Sequence, residues 1–158
     1  MLVGGYDSGD IKSTDGAKIK KMMSLNFDSA YNSARPLFLQ MMKQDRGGRI
    51  VLVGARPALE RKAASKSLAY ALSKSLLFRL AEVLNAEGEE KNVVTSVIVP
   101  STIDTPANRA AMPNADTSLW VKPEKIAGIL AFLVSEDAHP MVDPVVKVYG
   151  NLPAGAQA

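Results

Sequence analysis

The stretch LAYALSKSLLFRL, residues 68–80, carries a tyrosine and a lysine four positions apart, with a serine between them. Leucines and alanines fill most of the other positions, so the pattern predicts a helix that packs against a core. Residues i and i+4 of a helix lie one above the other, which puts the phenol of Tyr70 beside the ammonium of Lys74. Such a pair either transfers protons or simply covers the lysine stem with an aromatic ring.

Short β-branched runs flank this helix, which we predict to span residues 67–87. GRIVLV, within residues 47–55, and VVTSVIV, which Pro100 follows, each predict a buried strand. DPVVKVYG, at residues 143–150, predicts another strand, and residues 1–3 look like the end of one more. Because strands and helices alternate, we predict an α/β fold in which helices cover both faces of a parallel sheet.

A long helix is predicted over residues 17–43, with Thr14 or Asp15 as its cap. Pro36 lies inside this helix and should kink or divide it, because proline lacks a backbone N–H group. A shorter amphipathic helix is predicted to begin at Pro123, since proline suits the first turn of a helix.

Two irregular stretches follow strand ends, which is where ligands bind in parallel sheets. Residues 56–67 form the first stretch and are predicted to be a loop. Residues 100–122 form the second, and we interpret them as a lid over the site. Met112 and Trp120 either contribute to that lid or simply pack the loop onto the domain.

The composition argues against several classes of site and partner. The 19 basic and 16 acidic residues give a net charge of +3 and are scattered, whereas a nucleic-acid surface needs a basic stripe. The chain has no cysteine and a single histidine, His139, so we expect no disulfide and no metal site. No apolar run reaches the ~18 residues of a membrane span. We therefore expect a cytoplasmic protein.

Four motifs in register carry a family resemblance: MMSLNF, GRIV, YALSK and IVPSTIDTP. Together they resemble the short-chain dehydrogenase/reductase family over nearly the whole chain, as far as about Tyr149. The resemblance implies a Rossmann-like doubly wound sheet and hydride transfer from NAD(P)H to a small-molecule substrate. VGARPAL and DTPANRAAMPNADTSLW look like segments of the dihydropteridine reductase branch, which implies a pterin-like imine or a carbonyl as the substrate.

The resemblance assigns catalytic roles to three residues. Tyr70 matches the family's proton donor, Lys74 matches its partner, and Asn26 matches an asparagine that completes a proton relay through a local helix distortion. A free phenol has a pKa of ~10, which is high for proton exchange at neutral pH. A cation within ~4–6 Å favours the phenolate, so we expect Lys74 to lower the pKa of Tyr70.

The resemblance also implies a set of cofactor-binding residues. Small residues let the chain approach a ribose closely, and the family's lysine holds the nicotinamide ribose, whereas its PGxxxT segment holds the carboxamide. The residues of this chain that match these positions are Gly4, Gly5, Lys74, Pro100, Ile103 and Thr105.

One departure from the family concerns its catalytic serine. The matching position is Pro57, and the strand end reads Gly54-Ala55, so no hydroxyl stands there. A carbonyl substrate would lose a hydrogen-bond donor that polarises it, whereas an electron-poor imine needs less help. The departure therefore favours the pterin-like substrate over an ordinary ketone or alcohol dehydrogenase, which remains an alternative.

A second departure is that the family's first three strand–helix units have no counterpart, about a hundred residues at roughly 30 per unit. We expect one partial domain over residues 1–150, the C-terminal part of the family's sheet, with a tail at 151–158. The missing units hold the Gly-rich loop that binds the pyrophosphate. We interpret the chain as truncated, with residues 1–3 as an apolar sheet edge. The alternative function is a catalytically silent fragment that only dimerises.

Family members pair the helices that correspond to residues 17–43 and 67–87 into a four-helix bundle across a two-fold axis. The resemblance therefore implies a homodimer or a higher homo-oligomer. We place Leu76, Leu77 and Leu80 on the exposed side of the second helix, which agrees with such an interface.

Overall fold

The computed structural model describes residues 4–150, in which three parallel strands form one sheet in the order β1-β2-β3. Strand β1 is Gly48–Val53, β2 is Val93–Pro100 and β3 is Val145–Val148. The predicted parallel sheet is therefore confirmed. The predicted strand at residues 1–3 and the predicted tail at 151–158 lie outside the described residues.

The first long helix is interrupted around Asn26, where the family resemblance implies a local helix distortion, and not at Pro36. Helix α1 spans Gly16–Met23, a wider π-helical turn spans Ser24–Asp28, and α2 spans Ser29–Met41. Asp15 caps α1, as one of the two predicted candidates, and accepts a hydrogen bond of 2.9 Å from the Lys18 N–H group.

Pro36 lies inside α2 without dividing it, so the predicted division is wrong. The Asn32 carbonyl, four residues earlier, loses its usual helical partner. Asn32 and Pro36 are both exposed, so water can bond that carbonyl and the helix continues.

Ser29 makes two hydrogen bonds to the π-helical turn, one through its backbone N–H group and one through its hydroxyl. The Ser29 N–H group reaches five residues back to the Ser24 carbonyl, which leaves the Leu25 carbonyl without its usual donor. The Ser29 hydroxyl donates to that carbonyl at 2.6 Å. The side chain of Ser29 therefore stabilises the widened turn, and Asn26 lies at its centre.

Helix α4, Leu68–Gly88, packs with α2 on one face of the sheet. This core cluster consists of Ala30, Ala34, Phe38, Ile50, Leu52, Leu77, Ala81, Leu84, Val93, Val97 and Val99. Leu77 is thus fully buried, which corrects its predicted place on the exposed side. It lies three residues after the buried Lys74 and four before Ala81, on the same helical stripe. Leu80 is partly buried against the cluster, and Leu76 is exposed.

Helix α6, Pro123–Leu133, covers the opposite face of the sheet, where Leu133 packs against Val51 and Ile98. Both faces are therefore covered, as predicted. No helix within residues 4–150 combines the length and the apolar composition needed to cross a bilayer. The same residues contain no cluster of acidic, histidine or cysteine side chains that could hold a metal ion.

The two connecting stretches are more ordered than the sequence predicts. Residues 56–67 contain a 3-10 turn at Arg56–Ala58 and the short helix α3, Arg61–Ala64. Pro100, predicted as the first residue of the lid, is the last residue of β2. The rest of the predicted lid, residues 101–122, which we call the lid segment, contains helix α5, Pro106–Ala111, and a 3-10 turn at Thr117–Leu119.

The two ends of the lid segment are pinned together by a parallel bridge between Ile103 and Val121. Trp120 is buried at 8% exposure, which supports its packing role, whereas Met112 is 39% exposed. The two ends of the lid segment are therefore held together, whereas its middle, around Met112, is exposed.

Candidate active site

Lys74 lies beside the carboxyl end of β1. Its ammonium donates to the Val53 carbonyl at 2.9 Å, and its side chain is only 6% exposed. Burial disfavours the charged amine and lowers the pKa of Lys74 to about 8. Within residues 4–150, Val53 is its only hydrogen-bond partner, so the ammonium keeps donors for another group.

Tyr70 lies one turn before Lys74 on α4, and the ring of Tyr6 covers its side chain edge-on. The two ring centroids are 5.1 Å apart, with 73° between the ring planes. Burial, and secondarily the Tyr6 phenol, raise the pKa of Tyr70 to about 12. This is opposite to the lowering that the sequence predicts from Lys74, because burial of the phenol dominates here.

Asn26 is 1% exposed and joins three parts of the chain. Its Oδ1 accepts from the Gly5 N–H group at 3.0 Å, and its Nδ2 donates to the Gly5 carbonyl at 3.0 Å. Nδ2 also donates to the Ser73 hydroxyl at 3.0 Å, and that hydroxyl donates to the Tyr70 carbonyl at 2.8 Å. We call the hydrogen bonds among Gly5, Asn26, Ser73 and Tyr70 the amide network.

Gly4 and Gly5 both pack closely against neighbouring side chains, and the contact at Gly4 is with the buried amide of Asn26. A Cβ atom at Gly4 would lie 2.7 Å from Asn26 Oδ1 and 3.4 Å from Lys74 Nζ. A Cβ at Gly5 would lie 2.8 Å from Leu25 Cδ1. The backbone therefore approaches the predicted catalytic residues as closely as the chain allows. The role of both glycines toward a cofactor stays a prediction.

The other three predicted cofactor residues lie in or just after the end of β2. Pro100 ends the strand, and Thr105 caps α5 by accepting from the Asn108 N–H group at 3.2 Å. The Ile103 carbonyl accepts from Asn108 Nδ2 at 2.8 Å. Within residues 4–150, no hydrogen bond joins these three residues to the amide network, although both border the same edge of the sheet.

The strand end at Gly54 and Ala55 is buried and carries no hydroxyl, as the sequence already indicates. A Cβ at Gly54 would lie 3.0 Å from Phe78 Cζ and 3.0 Å from Val97 Cγ1. Glycine there lets α4 pack tightly against β1. Position 54 is therefore closely surrounded by core side chains and leaves little space for a larger residue.

The sequence reasoning missed two residues of this site, Ser73 and Tyr6. Ser73 stands in the YALSK motif, but a serine inside a helix gives no signal of a buried partner. Tyr6 follows the glycine pair in the sequence GGY and is 67% exposed. Its place directly after two predicted cofactor residues was the available signal.

Comparisons with known proteins show the family of this chain. Residues 2–116 match the sequence model described as short chain dehydrogenase. The chain is 30% identical to dihydropteridine reductase of Dictyostelium discoideum, over 91% of this chain and 62% of that protein. It is 29% identical to the cyclic-di-GMP-binding biofilm dispersal mediator protein of Escherichia coli, over 82% of this chain and 56% of the other.

Solved structures share the fold. A short-chain dehydrogenase/reductase from Serratia marcescens superposes with a TM-score of 0.82 at 22% identity, over 94% of this chain and 62% of that one. A 3-oxoacyl (acyl-carrier-protein) reductase from Agrobacterium tumefaciens, solved with NADP bound, gives 0.81 at 19% identity, over 94% and 61%. The chain thus spans about three fifths of the length of these relatives.

Proposed function

The chain belongs to the short chain dehydrogenase family, and from that premise we propose that it catalyses NAD(P)H-dependent reduction of a small substrate. Tyr70 is the proton donor in this proposal, and Lys74 and Asn26 support it. The observation that carries the proposal is the convergence of Asn26, Lys74 and the glycine segment beside Tyr70, at the edge of the sheet where parallel folds bind ligands.

The protonation state of Tyr70 favours reduction. Its pKa of about 12 keeps the phenol protonated at neutral pH, ready to donate. Lys74, with a pKa of about 8, is mostly charged at pH 7. In this proposal its ammonium, one helical turn from Tyr70, is the charge that favours the phenolate left after donation. The oxidative direction needs the phenolate at the start, so this environment opposes it.

The residues present fit the nicotinamide half of the cofactor. At Gly4 the bare backbone packs directly against Asn26 Oδ1 and Lys74 Nζ, which puts it next to the ammonium that is proposed to hold a ribose. Bound NAD(P)H would supply the hydride. Lys74 would hold the ribose through its remaining donors, and the other residues proposed to line the cofactor are Gly4, Gly5, Pro100, Ile103 and Thr105.

The proposed substrate is a pterin-like imine. Three observations support it: the missing hydroxyl at Gly54-Ala55, the exposed Tyr6 ring beside Tyr70, and the 30% identity to a dihydropteridine reductase. An exposed aromatic face suits a planar conjugated ring, because such rings stack favourably. An aliphatic ketone would stack less favourably on the Tyr6 ring, and it would lack the hydrogen bond that the family's serine donates to a carbonyl.

The second candidate is a catalytically silent protein that dimerises. Exposed apolar side chains on α2 and α4 favour self-association: Tyr31, Leu37, Leu39, Leu72, Leu76 and Val83. The four-helix pairing implied by the family would cover them. A homodimer belongs to the enzyme proposal as well, and so does a cytoplasmic location, on the family resemblance alone.

Calorimetric titration with NADH and NADPH, run beside Tyr70→Phe, tests the proposal. We expect micromolar binding by both proteins and turnover of a quinonoid dihydropterin by the parent chain alone. Tyr70→Phe should lose about 10²- to 10⁴-fold in kcat, the range for one acid–base group. Tyr31→Phe, on the exposed side of α2, is the matched control. Absence of binding up to millimolar cofactor would overturn the enzyme and leave the silent dimer.

A further inference from the structure

We propose that Ser73 is a positioning residue that fixes the orientation of the Asn26 amide and thereby holds the glycine segment against the active site. The inference rests on the proposed function, because the residues that Ser73 orients are those assigned to catalysis and cofactor binding. It answers what the serine in YALSK does between Tyr70 and Lys74.

The Ser73 hydroxyl has one donor role and one acceptor role in this structure. Its hydroxyl is 0% exposed, so water cannot replace either of its partners. The single hydroxyl proton is donated to the Tyr70 carbonyl at 2.8 Å, which leaves only lone pairs for Asn26. Ser73 can therefore bind the NH₂ group of the Asn26 amide, at 3.0 Å, and cannot bind its oxygen in the same arrangement.

The orientation of the amide decides how the glycine segment is held. With Nδ2 turned to Ser73, Oδ1 meets the Gly5 N–H group and Nδ2 meets the Gly5 carbonyl, so both backbone groups of Gly5 are bonded. A flipped amide would set donor against donor and acceptor against acceptor at Gly5. Ser73 thus adds a buried bond that favours the same amide orientation as the two backbone groups of Gly5, and this orientation holds Gly4 next to Lys74 Nζ.

A serine of α4 that is not bonded to Asn26 would behave differently, and Ser75 is one. The Ser75 hydroxyl donates to the Ala71 carbonyl at 2.8 Å, four residues back, and lies 3.4 Å from the Ala58 carbonyl. Within residues 4–150, no hydrogen bond joins it to Asn26. Ser75 is half-buried and lies two residues from Ser73. Ser75→Ala is therefore the matched control for Ser73→Ala.

Amide hydrogen exchange of Gly5, followed by NMR on the full chain, tests the proposal without requiring activity. Ser73→Ala should speed exchange of the Gly5 N–H group about tenfold, the factor for one net hydrogen bond. Ser75→Ala should leave it within about twofold of the parent. Equal exchange of Gly5 in Ser73→Ala and in the parent would overturn the proposal.

The parent chain offers a second measurement if Ser73→Ala fails to fold. Both Asn26 side-chain N–H protons are bonded, one to Gly5 and one to Ser73, so both should exchange slowly. Rapid exchange of the proton assigned to the Ser73 contact would also overturn the proposal. Neither readout depends on turnover, so a chain without reductase activity still decides this question.

Where turnover is found, kinetics separate positioning from general destabilisation. Ser73→Ala should lower kcat with little change in KM for the substrate. The same substitution should have no further effect in an Asn26→Ala background, because Ser73 acts through Asn26. If the losses of kcat from the two substitutions added up in the double variant, Ser73 would not act through Asn26.

Discussion

The amide network and the lid segment border the same edge of the sheet but are held by different forces. The network consists of neutral hydrogen bonds around two side chains, Asn26 and Ser73, that are at most 1% exposed. In the lid segment, the Asp104 carboxylate is 5% exposed and binds Arg109 and Lys122, whose side chains are more than half exposed.

The two regions therefore differ in how strongly salt and pH affect the bonds that hold them. Neutral buried hydrogen bonds are insensitive to salt, and breaking them leaves groups that no water can reach. Ion pairs with exposed partners weaken as salt screens them and as pH protonates the carboxylate. The side that carries Tyr70 is therefore built to keep one geometry, whereas the lid segment can loosen.

The largest expected effect comes from removing the central amide. Asn26→Leu should reduce the free energy of unfolding by about 2–3 kcal/mol, because Gly5 and Ser73 lose their partners. The matched change in the lid segment, Asn108→Leu, removes a single bond to the Ile103 carbonyl and should cost about 1 kcal/mol. Urea unfolding of the two variants measures both values. Equal losses would mean that the two regions do not differ in this way.

A smaller effect is expected from alkaline pH on the network side. The pKa of Lys74 is about 8 in the folded chain and about 10.4 when exposed. Between these values the unfolded chain binds more protons, so the stability of the parent chain should rise as pH increases from 8 to 10. Lys74→Met should lack that rise. Urea midpoints measured across this range check it, and parallel curves for both proteins would refute the burial argument.

The smallest global effect is expected from acid on the lid segment. Arg109, and then Lys122, hold the pKa of Asp104 well below its usual range. The contribution of Asp104 is therefore complete at neutral pH and is lost as pH falls below about 4, through its folded pKa. Trp120, the only tryptophan, reports on the lid segment through acrylamide quenching.

The Asp104→Asn substitution separates this effect from general unfolding. Its Trp120 quenching at pH 7 should already match that of the parent in acid or in about 1 M salt. Asp116→Asn is the control, because Asp116 only caps a turn in the same segment and asparagine caps equally well. Unchanged quenching in Asp104→Asn would show that the ion pairs do not hold the lid segment.

The sequence supports the sheet and the Tyr70/Lys74 pair for simple reasons. Continuous β-branched runs predict buried strands, and a four-residue spacing on a helix predicts a shared face. Local pattern could not predict the sign of the pKa shift of Tyr70, since burial by Tyr6 depends on a segment 64 residues away in the chain.

Two errors show where local rules fail. Pro36 is expected to kink or divide the helix, but it does not divide α2, and the exposed Asn32 carbonyl is open to solvent in place of the N–H group that proline lacks. Leu77 looked like an interface residue beside Leu76, although its spacing to Lys74, Ala81 and Leu84 marks the buried stripe. Ser73 could not be found at all, because its partner Asn26 belongs to another helix.

The π turn at Ser24–Asp28 also determines which faces of α1 and α2 are buried on the same side of the helix axis. Buried residues recur every fourth position at Met22, Asn26, Ala30, Ala34 and Phe38. In a uniform α-helix each such step advances about 40°, so the series would wind about 160° around the axis. The widened turn accommodates one extra residue, which reduces that total rotation by about 100°. Deleting any one residue there would rotate α1 away from α4, so apart from Asn26 this short stretch should tolerate substitution more readily than a change in length.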